Sequence, residues 1–142
     1  MPVKRELVER KISLILEDLE RLKALASLSF EDFLGDPRNE ALAERYLERM
    51  TGRVIDINFH LLSEERLQVP RSYHDSFIGL AGLGVLDAAS ARRFARLAGL
   101  RNRLTHEYNG VDEKIIHETA RTLVAELPEL LRAFRAHLDS PG

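Results

Sequence analysis

The sequence predicts an all-α fold, an antiparallel bundle of four to five helices, and three observations carry that reading. Apolar residues recur at gaps of three and four over long stretches, the spacing that keeps side chains on one helix face. Helix-start residues stand ahead of several of these stretches: Asp36-Pro37, Ser72 and Asp87. No segment alternates apolar and polar residues long enough for a strand, and there is no internal repeat. The length, 142 residues, suits a single helical domain over residues 1–142.

The first helix is expected over about Val3 to Ser27. Val8, Ile12, Ile15, Leu19 and Leu22 form its stripe, widened by Leu16 and Leu25. Glu9, Lys11, Glu17, Asp18, Glu20 and Arg21 read as its solvated side. Ser29 to Leu34 is a connector or one helical turn. With Asp36 as N-cap and Pro37 at the first helical position, a long helix runs to about Glu65, a length of about 43 Å. Its expected core stripe is Leu42, Tyr46, Met50, Val54, Ile57 and Leu61, beside a polar stripe of Arg45, Arg49, Asp56 and His60. Asp56 and His60 stand one turn apart, where they form either an ordinary surface pair or part of the rim of a cleft.

Gln68-Val69-Pro70-Arg71 breaks this helix, and Ser72 with Asp75 caps a short one over about Tyr73 to Ala81. Gly79, Gly82 and Gly84 follow in an order unlike the dinucleotide fingerprint, so Gly82 or Gly84 is expected as a helix C-cap. Asp87 caps a further helix from Ala88 to about Leu104. The last helix starts near Asp112 and buries Ile116, Leu123, Leu127, Leu130, Phe134 and Leu138. Pro128 removes a backbone donor and crowds the carbonyl of Val124, so it is expected to kink or divide that helix.

The charge balance, 21 basic against 23 acidic residues, decides nothing about nucleic acid, so any basic patch has to be local. Cysteine is absent, which excludes disulfides and thiolate metal sites and fits a reducing compartment. No membrane-length apolar run occurs, and Met1 to Glu6 has no signal-peptide core, so a cytoplasmic protein is expected. Aromatic residues are few and tryptophan is absent, which argues against a base-stacking platform. His117-Glu118-Thr119-Ala120-Arg121 lacks the second histidine of the zincin pattern, and no P-loop or serine elbow exists. Neither a metal site nor a cofactor is expected.

One stretch resists a purely structural account. Phe94, Leu97, position 101 and Leu104 share a helix face, yet position 101 is arginine. A guanidinium on an apolar stripe needs a carboxylate, a phosphate or an open cleft to receive it. His106, five residues on, is the side chain suited to proton transfer near neutral pH. On an ideal helix it would lie about 140° round from Arg101, so the two converge only where the helix ends and the chain turns. Asn109-Gly110 supplies a turn, and Tyr108 precedes it. Between Ala88 and His106 stand five arginines, at 92, 93, 96, 101 and 103, and no acid. The first three alone make an ordinary solvated face; Arg101 and His106 turn the balance toward an anion site.

Arginine, histidine and tyrosine without a metal suit cleavage of RNA by its own 2′-hydroxyl. Histidine moves a proton at the attacking or leaving oxygen, and arginine neutralises charge building on the phosphorus oxygens. A second His106 from a twofold-related copy would supply both a base and an acid, which makes a homodimer with one shared groove attractive.

Arg101, four residues, His106, one residue and Tyr108 reproduce the R-x-x-x-x-H-x-Y signature of HEPN ribonucleases, and the run from Leu97 to Tyr108 resembles the HepT toxin family. The likeness extends to Arg45-Tyr46-Leu47-Glu48-Arg49, to Asp56 and His60, to Gly84-Val85-Leu86 and to Leu127-Pro128. Thr105 is more polar than the valine expected before the histidine. The resemblance implies a homodimeric bundle of HEPN type and a metal-independent endoribonuclease with Arg101 and His106 catalytic. Asn102 and Arg103 would support them, with Asp56 or His60 behind. It also implies that an MntA-type nucleotidyltransferase antitoxin, using ATP, adenylylates Tyr108 and silences the toxin. The alternative is a catalytically silent HEPN dimer that binds nucleotide or docks a nucleotidyltransferase as its acceptor subunit. A purely structural helical dimer is the third possibility, in which Arg101 matters for stability alone.

Overall fold

A computed structural model describes residues 3–66, 69–106 and 112–140, and among these the chain forms seven helices and no strand. They are α1 Arg5–Ala26, α2 Phe30–Leu34, α3 Pro37–Arg66, α4 Tyr73–Gly82, α5 Ala88–Phe94, α6 Arg96–His106 and α7 Glu113–Asp139. None is long and apolar enough to cross a membrane. The long helix α3 is the axis, with α1, α2, α4, α6 and α7 packed on it.

Side-chain pairs give the directions of the long helices. Lys4 meets His60, Lys11 meets Asp56 and Asp18 meets Arg53, so α1 and α3 run antiparallel. Arg5 reaches Asp139 and Arg135 reaches Glu9, so α1 and α7 are antiparallel as well. His137 and Glu65, 2.7 Å apart, join the C-terminal ends of α7 and α3, which run parallel.

The helix boundaries follow local chemistry. Ser29, Ser72 and Asp87 each accept a hydrogen bond from the backbone N–H three residues on, satisfying a donor the helix itself leaves free. Asp36 and Asp112 accept from Arg38 and Lys114 in the same way, two residues on. After α4, Gly84 takes a φ of 80°, while the amides of Gly84 and Val85 donate to Ala81 and Leu80. Of the two glycines, then, Gly84 is the left-handed stop, a conformation most residues reach only with strain.

Four expectations need correction. The α3 stripe lies one residue round from the expected line at its start. Leu42 is 44% exposed, while Ala43 and Leu47 are buried in series with Met50, Val54, Ile57 and Leu61. In α1, Leu16 is exposed and Asp18, read as solvated, has no exposed surface. The helix expected from Ala88 to Leu104 is two helices. Phe94, Ala95, Leu97 and Ala98 are all buried, and the chain turns at Ala95, the residue between the two helices. Pro128 does not divide α7, whose Leu127, Leu130 and Leu131 are buried on both sides of it.

His117 is a core residue: its Nε2–H donates to the Leu28 carbonyl at 2.7 Å and its ring lies 4.9 Å from that of Phe33. Near the start of α3, burial pushes the Glu40 carboxyl up, and the nearby Glu113 and Glu44 push it further. A carboxyl raised in the folded state contributes fully at low pH and loses that contribution as pH rises through its folded value. Glu40→Gln should therefore raise the melting temperature at about pH 7 and change it little at about pH 4, as read by circular dichroism.

A candidate arginine-lined active site

α6 lies against the middle of α3, and Arg101 leaves the buried side of α6 between Leu97 and Leu104. Its side chain is 25% exposed and passes over Gly52 of α3. A Cβ at position 52 would stand 3.5 Å from Arg101 Nε, an ordinary contact, whereas a branched side chain would occupy the guanidinium's place. Arg101 Nη1 donates to Thr105 Oγ1 one turn on, and the Thr105 hydroxyl donates to the Arg101 carbonyl at 2.8 Å. The polar Thr105 thus steers the arginine.

The receiving group is double, a carboxylate and an open cleft. Glu48 Oε1 lies 3.8 Å from Arg101 Nη1, too long for a hydrogen bond. A half-exposed ion pair of that length is worth about 0–1 kcal/mol, so a phosphate offering charge-assisted bonds can displace it. The cleft has a volume of about 280 Å³, and Arg49, Arg53, Asp56, Tyr73 and Arg101 are among its lining residues. Its floor is held from α1: Asp18 pairs with Arg53 at 2.9 Å and with Arg49 at 3.3 Å.

The expected site residues separate. Asp56 lines the Arg101 cleft and pairs with Lys11 at 3.4 Å. His60 does not pair with Asp56; its Nε2 accepts the backbone N–H of Lys4 at 3.0 Å, because α1 covers that end of α3. Asn102 is exposed beside Arg101. Arg103 lines a different groove, between α6 and α7, together with Arg96, Thr119 and Thr122. Arg93 is engaged by Glu126 and Glu129 of α7, which hold its guanidinium charge firmly, so the five-arginine run does not act as one patch. His106 is the last residue of α6, and its imidazole lies outside the described residues, as do Tyr108 and the Asn109-Gly110 turn.

Sequence reading passed over Asp18, Glu48, Gly52 and Arg53. Asp18 had a signal: it lies three residues after Ile15 and four before Leu22, on the apolar face. The argument that singled out Arg101 applies to it unchanged.

The chain as a whole is similar to known proteins. A family model described as Ribonuclease HepT-like matches residues 15–134. The chain is 31% identical over 134 residues to the tRNA nuclease HepT of Aphanizomenon flos-aquae (strain 2012/KM1/D3), covering 93% of this chain and 90% of that protein. The tri-AMPylated Shewanella oneidensis HEPN toxin, solved in complex with MNT antitoxin, has a TM-score of 0.82 at 21% identity, over 94% of this chain and 99% of that one. A toxin–antitoxin crystal structure with AMP-PNP has a TM-score of 0.80 at 20% identity, over 92% and 99% of the two chains. Those two structural likenesses establish the all-α HEPN fold. Together with the family model and the curated relative, they lead to one statement: this chain belongs to the HepT-like ribonuclease family.

Proposed function

We propose that this chain is the toxin of a toxin–antitoxin pair, an endoribonuclease that cleaves RNA without a metal ion in a groove shared by two copies. The observation that carries this reading is the cleft: the Arg101 of the R-x-x-x-x-H-x-Y motif lines an open, arginine-rich groove, and among the described residues its acidic partner is Glu48, in a long, displaceable ion pair. In the proposed step the 2′-oxygen bonds to the adjacent phosphorus and the bond to the 5′-oxygen breaks. A base takes the 2′-hydroxyl proton, an acid gives one to the departing 5′-oxygen, and a cyclic phosphate remains. His106 serves in one of these roles and the His106 of a second copy in the other. Arg101 meets the charge that accumulates on the non-bridging oxygens. Asn102 and Asp56 would support the site from α6 and α3. Transfer RNA is the first substrate to test, because the curated relative is a tRNA nuclease.

Silencing follows the same electrostatics. We assign the partner as a nucleotidyltransferase of MntA type, since one structural relative is a tri-AMPylated HEPN toxin bound to an MNT antitoxin. The Tyr108 oxygen would attack the α-phosphorus of ATP, pyrophosphate would leave, and the phenolic proton would pass to solvent. AMP carried on Tyr108 would add a phosphate two residues along the chain from His106, and that phosphate would compete with RNA for the motif's cations.

Arg101→Ala and His106→Ala should each lower cleavage of tRNA by about 10²-fold or more while leaving the helical circular dichroism intact. Excess chelator should leave the wild-type rate unchanged, and equal cleavage by wild type and His106→Ala would overturn the assignment. Incubation with the partner and ATP should add AMP mass to wild type and none to Tyr108→Phe; mass gain without any ribonuclease activity would favour the silent acceptor dimer. Gly52→Ala should keep activity and stabilise α3 by about 1 kcal/mol, whereas Gly52→Val should cut activity by displacing Arg101.

A further inference from the structure

Asp18 is buried with no exposed side-chain surface, on the side of α1 that faces α3. Arg49 reaches it through Nε at 3.3 Å and Arg53 through Nη1 at 2.9 Å, and Arg21 of its own helix adds a contact at 3.2 Å. Burying a carboxylate costs several kcal/mol unless cations and hydrogen bonds offset it, which explains the cluster. It does not explain why the two α3 arginines keep open sides. Their side chains are 35% and 22% exposed, and both line the cleft that contains Arg101.

A guanidinium is a rigid fork with five donors, and Asp18 occupies one edge of each. Among the described residues neither arginine has another acidic partner, and both line the cleft, which leaves donors available to an anion bound there. Of the cleft's own carboxylates, Asp56 pairs with Lys11 and Glu48 faces Arg101, not Arg49 or Arg53. Arg49 and Arg53 stand one turn apart on α3, so their donors are presented side by side.

The geometry points to a second phosphate subsite, made by Arg49 and Arg53 and fixed by Asp18, that binds the RNA backbone next to the scissile phosphate. This rests on the ribonuclease reading above and extends it. Asp18 is then a positioning residue: it touches no RNA and sets the direction of two side chains that do. A merely structural clamp between α1 and α3 would change stability on mutation and leave the ionic part of RNA binding alone.

The test measures binding of a fluorescent single-stranded RNA to the full chain carrying His106→Ala, across a series of salt concentrations. Arg49→Gln and Arg53→Gln are each added to that background, and so is Asp18→Asn; melting curves accompany every variant. Each arginine replacement should weaken binding at low salt and flatten the slope of log affinity against log salt by about 0.7, the loss of one phosphate contact to a single strand. Asp18→Asn should weaken binding with less change in slope, because both cations remain but are no longer aimed. In the cleaving enzyme all three should raise KM more than they lower kcat. Arg49→Gln leaves Asp18 with Arg53 and Arg21, so it decides the matter even if Asp18→Asn fails to fold. RNA bound and cleaved with unchanged affinity and slope in both arginine variants overturns the subsite and leaves the ribonuclease reading standing. No RNA binding by the parent protein overturns both.

Discussion

A carboxylate with no access to water sits between α1 and α3. Asp18 takes a position on α1 that periodicity reserves for a core residue, flanked by Ile15, Leu19 and Leu22. Its solvation is replaced by guanidiniums from α3 and from its own helix. The arrangement is asymmetric. The arginines are partly exposed and can turn to water if the carboxylate is removed, whereas the carboxylate has no such recourse if they are removed. The pairing therefore constrains α3 more than α1: it fixes which side of α3 presents arginine, and that side forms the floor of the cleft.

The second constraint is where α6 can lie. α6 crosses α3 at a helical glycine, and the absence of a side chain at Gly52 gives Arg101 its path. Glycine in a helix interior costs about 1 kcal/mol relative to alanine. A Cβ there would make only an ordinary contact with Arg101 Nε at 3.5 Å, so what the path of Arg101 excludes at this position is a branched side chain. The turn at Ala95 belongs to the same problem. It separates α5 from α6 with Phe94, Ala95 and Leu97 all buried, and Arg101, four residues beyond Leu97, comes out over α3.

What could be read from the sequence follows from this. The helices, their caps and the core of α1 and α7 were legible because burial imposes a period of 3.6 on single segments. Arg101 was legible as an exception to that period. Asp18 obeyed the same logic and was missed because it stood among charged neighbours that made it look solvated. The phase of α3 was legible only from Met50 onward, since Ala43 and Leu42 compete at its start and only contact with α1 and α2 decides between them. Glu48, Gly52 and Arg53 carry no local signal; their role exists only once α6 is laid across α3. The pairing of Asp56 with His60 failed for a related reason, as α1 supplies closer partners to both.

The cleft holds two kinds of arginine, and the difference bears on mechanism. Arg49 and Arg53 are paired at hydrogen-bonding or near hydrogen-bonding distance to a group that cannot move into water. Arg101 faces Glu48 across 3.8 Å, and its nearest anchor is a neutral hydroxyl on its own helix. A cation that binds ground state and transition state equally well lowers KM without raising kcat. Fixed arginines are suited to that task, since a phosphate held in the proposed subsite would not change its charge. The group that accelerates the reaction must gain interaction as charge develops, and so must be weakly committed beforehand. Arg101 meets that condition and the other two do not. The proposed separation of roles within one groove is a physical reason for a motif arginine to lie on a different helix from the arginines around it.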